Sequence, residues 1–131
     1  MSEQAFESKR SGVIRPVRFG VVGIGAFGRL HALTLAGLAE AELAGVVDTR
    51  QAALTALSKE LPGLMGWTDL DQALAEAGAE AWIIATRTET HAPLAERILK
   101  AGGRVLIEKP LAESLVSARR IESLAAPDSS N

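Results

Sequence analysis

Short apolar runs recur along the chain, each followed by a longer stretch in which apolar residues return every three or four positions. The runs VRFGVVG (17–23), AELAGVVD (41–48), AWIIAT (81–86) and RVLIEK (104–109) read as strands, with LMGW (64–67) as a weaker one. The spacing between them predicts helices near 26–38, 50–60, 69–77, 89–101 and 112–125. In the first of these, Leu30, Leu33 and Leu38 combine with Ala32 and Ala36 in a pattern suited to close packing on a sheet. Strand and helix in alternation imply parallel strands joined by right-handed crossovers. The expected fold is α/β, a doubly wound parallel sheet in a single three-layer domain with helices on both faces.

Local chemistry supports these boundaries. Thr68 or Asp69 can cap the third helix, and Thr88 or Thr90 the fourth, with Pro93 in its first turn. Gly102 and Gly103 can supply a left-handed exit. Residues 1–15 and 126–131 lack apolar periodicity and read as mobile tails around a domain spanning 16–125.

The first strand runs into a glycine turn. Gly23, Gly25 and Gly28 form G-x-G-x-x-G, closing GIGAFG with Ile24, Ala26 and Phe27 between them. At a strand-to-helix junction the first glycine permits the tight turn, the second lets backbone approach a pyrophosphate, and the third lets the helix pack closely. The helix N-terminus then offers free N–H groups and partial positive charge. The second strand ends at Asp48, twenty positions beyond Gly28, where a dinucleotide fold needs an acceptor for ribose hydroxyls. The plainer alternative is an ordinary turn, with Asp48 capping the next helix. A carboxylate repels a 2'-phosphate, so NAD is favoured as cofactor. NADP is the alternative, because Arg50, after Thr49, can stack on adenine or neutralise a phosphate.

In an open parallel sheet ligands sit beyond the carboxyl ends of the strands. That puts Ala85, Thr86 and Arg87 after the fourth strand in the same crevice, with His91 near the start of the following helix. Taken alone, His91 reads as a solvated first-turn residue, and His31 as a packing or surface residue of the first helix. The fifth strand ends in the adjacent charges Glu108 and Lys109 against Pro110, which cannot donate to a ladder.

Composition narrows the partners. The 131 residues, 47% hydrophobic with net charge −2, suffice for one core but not two of ordinary size. A weakly acidic chain without a basic cluster gives no electrostatic case for nucleic acid or an anionic membrane. No run approaches the roughly 20 apolar residues that cross a bilayer. The N-terminal MSEQAFESKRSGVIRP lacks the order of a secretory signal, so a cytoplasmic protein is expected. There is no cysteine, and the two histidines lie 60 positions apart, so no thiolate chemistry and no metal site is expected.

Together GVVGIGAFGRLHALTLA, VVDTR and IIATRTETHAPLAERILKAGGRVLIEKPLA resemble the N-terminal domain of the Gfo/Idh/MocA oxidoreductases. EKP after the fifth strand is the most specific element. The resemblance implies a Rossmann-like NAD(P)-binding domain of a dehydrogenase that moves hydride between a nicotinamide cofactor and a hydroxyl carbon of a sugar, polyol or related compound. It also implies that Lys109 is catalytic, hydrogen-bonding the reacting oxygen beside the nicotinamide, that Glu108 shapes the cofactor pocket, and that the Lys109–Pro110 bond is cis. Arg87 departs from the proline common in the family at that point. The family's C-terminal domain, which carries other catalytic groups, most of the substrate pocket and the oligomer interface, is expected to be absent. The 131 residues alone are then catalytically incomplete. A homo-oligomer, a non-catalytic NAD(P)-sensing module and an inactive fragment stand as further readings.

Overall fold

Apolar strands can be buried on both faces only if helices cover both, and the sheet is built that way. A computed structural model describes residues 15–109 and 115–125 of the chain. In order, the elements are β1 (Val17–Val22), α1 (Ala26–Ala36), β2 (Ala41–Val47), α2 (Gln51–Glu60), β3 (Gly66–Trp67), α3 (Leu70–Glu76), β4 (Ala81–Ile84), a 3₁₀ turn (Thr88–Thr90), α4 (His91–Lys100), β5 (Arg104–Ile107) and α5 (Leu115–Ala125). All the strand pairs are parallel, in the order β3-β2-β1-β4-β5. The chain starts mid-sheet and winds outward in both directions, so β1 and β4 flank a switch point.

Neighbouring residues on a strand face opposite layers. Val21, Val46 and Ile83 pack with Ala32 and Leu35 of α1 and with Leu54 and Leu57 of α2. Val22, Val47 and Ile84 pack on the other face with Ala73 of α3, Ala95 and Ile98 of α4, and Ile121 of α5. Ile84 and Ile98 are fully buried, and truncating such a residue to alanine costs about 2–5 kcal/mol. Two tryptophans lie flat across the sheet because glycines make room. A Cβ on Gly20 would come within 2.3 Å of the Trp82 ring, and one on Gly45 equally close to the Trp67 ring. Pairing skips Ala44, since Phe19 lies opposite Leu43 and Gly20 opposite Gly45.

Each of the four main strands stops one or two residues before its expected end, and the reason bears on the site. Gly23, Asp48, Ala85 and Glu108 each still donate one N–H across the sheet, at 2.7–3.1 Å, and then the chain turns away. The residues read as strand ends are therefore loop residues anchored by a last ladder bond.

The helix caps divide. Asp69 accepts from the Gln72 N–H at 3.0 Å, and Gly102 takes the left-handed conformation at φ +91°. The threonines do not cap α4: Thr90 holds the N-cap position without bonding the helix N–H groups. Its hydroxyl bonds instead to the Arg87 carbonyl and the Thr86 hydroxyl. The expected start of α5 near 112, the terminal segments and Pro110 with its peptide bond lie outside the described residues.

Candidate functional site

The strand ends that face β1 and its neighbours enclose a crevice of about 830 Å³. Gly23, Gly25, Asp48, Thr49, Arg50, Ala85, Thr86 and Arg87, each singled out from sequence, line it.

The three glycines serve three different ends. Gly23 sits at φ +88°, and a Cβ there would lie 2.6 Å from the Thr86 methyl. A Cβ on Gly28 would lie 1.6 Å from the Gly23 carbonyl oxygen, so α1 touches the turn only because that side chain is missing. Gly25 differs from both. Its backbone, at φ −68° and ψ −157°, is open to any residue, and a Cβ would meet nothing within 4 Å. Among the described residues no protein atom requires glycine there. It caps α1, whose first-turn N–H groups have no intrahelical acceptor, at the crevice wall. Ile24 is buried and its N–H is already given to Asp48, while Phe27 is 69% exposed and Ala26 is also exposed.

Asp48 is buried at the end of β2. Its Oδ2 accepts from the Ile24 N–H and from Arg50 Nη2, both at 2.9 Å, and its Oδ1 accepts from the Arg50 N–H at 2.8 Å and from Arg50 Nε at 3.0 Å. Burial pushes the carboxyl pKa up, but the Arg50 guanidinium and the two backbone N–H groups outweigh it and leave the group below its ordinary value. The carboxylate thus ties the glycine turn to β2. It does not cap α2, whose N-cap is Arg50 with no side-chain cap bond.

At the end of β4 the expectation for His91 is overturned. His91 is 1% exposed rather than solvated. The 3₁₀ turn before α4 rolls its ring inward, where Nε2 bonds the Thr86 carbonyl at 3.0 Å. It supports the loop that forms the crevice wall and is not itself among the lining residues.

Glu108 and Lys109 stand at the end of β5, outside the lining of this crevice. Lys109 is exposed. Glu108 pairs with His31 of α1, the two side chains being 35% and 33% exposed. His31 therefore joins α1 to the β5 end, a role that its position inside a helix did not suggest. No local pattern announces a pair separated by 77 positions. Sequence reading also missed the far wall, formed by Thr68, Asp69, Leu70, Leu94 and Arg97. The available signal is that Thr68 and Asp69 follow a strand, as the other lining loops do. Among the described residues no helix is long and apolar enough to cross a membrane, and no group of three or more His, Cys, Asp or Glu is placed to hold a metal ion.

Known proteins share this fold. The profile of a family described as an oxidoreductase family with NAD-binding Rossmann fold matches residues 17–129. Inositol 2-dehydrogenase of Rhizobium meliloti (strain 1021) is 39% identical over 97 residues, 72% of this chain and 28% of that protein. UDP-N-acetylglucosamine 3-dehydrogenase of Acidithiobacillus ferrooxidans is 38% identical over 94 residues, again 72% of this chain and 28% of the relative. The crystal structure of GenD2 from gentamicin A biosynthesis, in complex with NAD, superposes with TM-score 0.79 at 35% identity, covering 86% of this chain and 32% of that one. The WlbA dehydrogenase of Bordetella pertussis, in complex with NADH and UDP-GlcNAcA, gives TM-score 0.78 at 32% identity, over 84% and 34% of the two chains. The chain spans about a third of the length of these relatives.

Proposed function

The chain belongs to the Gfo/Idh/MocA oxidoreductase family, through its NAD-binding Rossmann fold, and from that membership we propose that it forms the NAD-binding part of a dehydrogenase acting on the CH–OH group of a sugar, polyol or related compound. The observation that carries the proposal is Gly25. Packing explains Gly23 and Gly28, whereas a glycine that caps the tip of α1 and whose Cβ would meet no described atom leaves room for an incoming group. A pyrophosphate there takes up the free N–H groups and the positive end of the helix. The polyol and the nucleotide sugar in the relatives' names support the substrate class.

In this reading residues 16–125 form the cofactor domain of a cytoplasmic enzyme. Asp48 and Thr49 hold the adenosine ribose, Arg50 lies beside it, and Ala85, Thr86 and Arg87 wall the crevice on the β4 side. When bound, the nicotinamide supplies the hydride acceptor or donor. Lys109 is proposed to donate a hydrogen bond to the reacting oxygen, so that the ammonium stabilises developing negative charge and exchanges a proton with it. Glu108, oriented by His31, is proposed to fix the loop that presents Lys109.

Titration of the chain with NADH and NADPH, followed by energy transfer from Trp67 and Trp82, tests the cofactor. Saturable binding with NADH favoured is the expected result, and a chain that binds neither would sink the proposal. Separately, the isolated chain is expected to show negligible dehydrogenase activity. Robust turnover of a polyol by these residues alone would defeat the assignment of further catalytic groups to the rest of the protein.

A further inference from the structure

The Asp48 carboxylate is fully engaged by the protein itself. An ionised carboxylate offers about four lone-pair positions, and four N–H groups occupy them here, at 2.8–3.0 Å. Two of these, from Ile24 and Arg50, are backbone groups and belong to the fold. The other two come from the Arg50 side chain, which is 61% exposed and lines the crevice.

We propose that Arg50 is a cofactor-selecting latch, whose guanidinium in the free chain occupies the acceptor positions that an adenosine ribose needs and must swing off Asp48 before the nucleotide binds. The inference rests on reading the crevice as a dinucleotide site. Ribose hydroxyls then compete with two charge-assisted N–H bonds, so Arg50 weakens NAD binding. A 2'-phosphate reverses the balance. The released guanidinium gains a dianionic partner that it can hold with two parallel bonds, which offsets the repulsion from Asp48. The same side chain therefore narrows the preference for NAD over NADP from both directions.

Arg50→Ala keeps both backbone bonds to Asp48, so the joint between β2 and the glycine turn survives, and a thermal melt verifies it. NADH and NADPH dissociation constants are measured for the wild type, Arg50→Ala, Asp48→Asn and the double variant. Releasing a pair of surface strength should tighten NADH binding about fivefold. NADPH binding should weaken about tenfold with loss of the guanidinium–phosphate bonds. In the Asp48→Asn background the NADH gain should shrink below about twofold, because the two residues act as one unit. The latch is overturned if Arg50→Ala leaves NADH affinity unchanged or lowers it, or if the full gain persists without the Asp48 carboxylate. Absence of NADH binding by every version is a separate outcome, which removes the dinucleotide reading and the latch with it.

Discussion

Replacing Gly25 or Gly28 by alanine adds the same methyl group three positions apart, with opposite consequences. At Gly28 the new carbon falls 1.6 Å from the Gly23 carbonyl oxygen, far inside the roughly 3.3 Å at which carbon and oxygen normally meet. Helix α1 must lift off β1, opening the packing of Ala32 and Leu35. Overpacking of this kind costs about 1–3 kcal/mol and occasionally more. For a domain of this size each kcal/mol lowers Tm by about 4 °C, so a fall of about 4–12 °C is expected. At Gly25 the methyl meets nothing. A small gain from the stiffer unfolded chain offsets a small capping loss, and Tm should stay within about 3 °C. Binding should move the other way, since a methyl at the tip of α1 keeps a phosphate from the backbone N–H groups. Loss of one hydrogen bond to a charged group, about 1.5–3 kcal/mol, lowers NADH affinity about 10- to 100-fold. Calorimetric melts and NADH titrations of both variants are the assay. A Gly25→Ala chain that binds NADH like the wild type would refute the reasoning, because the glycine would then have no ligand to accommodate.

In a longer form of the protein that turns over substrate, Lys109→Ala should cut kcat severely while leaving NADH affinity within about threefold. Loss of binding with unchanged turnover per bound cofactor would remove Lys109 from the catalytic role. The Asp48 carboxyl, held below its ordinary value of 3.8, contributes stability that is present above that value and is lost as pH falls through the lower folded pKa. Acid titration of Tm should therefore show a weaker fall for Asp48→Asn than for the wild type across that acidic window, and parallel curves would contradict it. His31→Leu should speed hydrogen exchange of the Glu108 amide, which bonds the Ile84 carbonyl, more than that of the Val46 amide on the far side of the sheet. Equal effects at the two amides would mean the pair with Glu108 does not hold the β5 end.

The layer order was legible because periodicity is local. Val21–Val22, Val46–Val47 and Ile83–Ile84 are adjacent apolar pairs, and a strand that is apolar at consecutive positions must be covered on both faces. The glycine turn was legible for the same reason, since six residues carry the motif. What escaped depends on distance or on rotation. Whether His91 points in or out depends on one 3₁₀ turn before α4, and apolar spacing within the helix does not encode that phase. The overlong strands at Thr86 and Lys109 reflect side chains that still suit a strand while their backbone has left the ladder. His31 and Glu108 belong to elements at opposite ends of the chain, and only the folded sheet brings them together.

The residues of the crevice divide by whether the protein itself accounts for them. Gly23, Gly28, Ile24 and His91 are explained by contacts inside the chain, and the fold would require them whether or not anything bound. Asp48 is only half explained. Its two backbone bonds hold the glycine turn to β2, yet a buried carboxylate is an expensive means of joining two loops unless the charge has another use. At Gly25 and Lys109 the described contacts give no structural reason for the residue type. One is a glycine with an ordinary backbone and open space, the other an exposed lysine next to a carboxylate already engaged by His31. These unexplained residues lie at the carboxyl edge of the sheet on either side of the β1–β4 switch point, where an extended dinucleotide would span from the α1 tip towards β5. In the proposed reading Gly25 meets the pyrophosphate at the middle of that ligand, Asp48 its adenosine end and Lys109 its nicotinamide end.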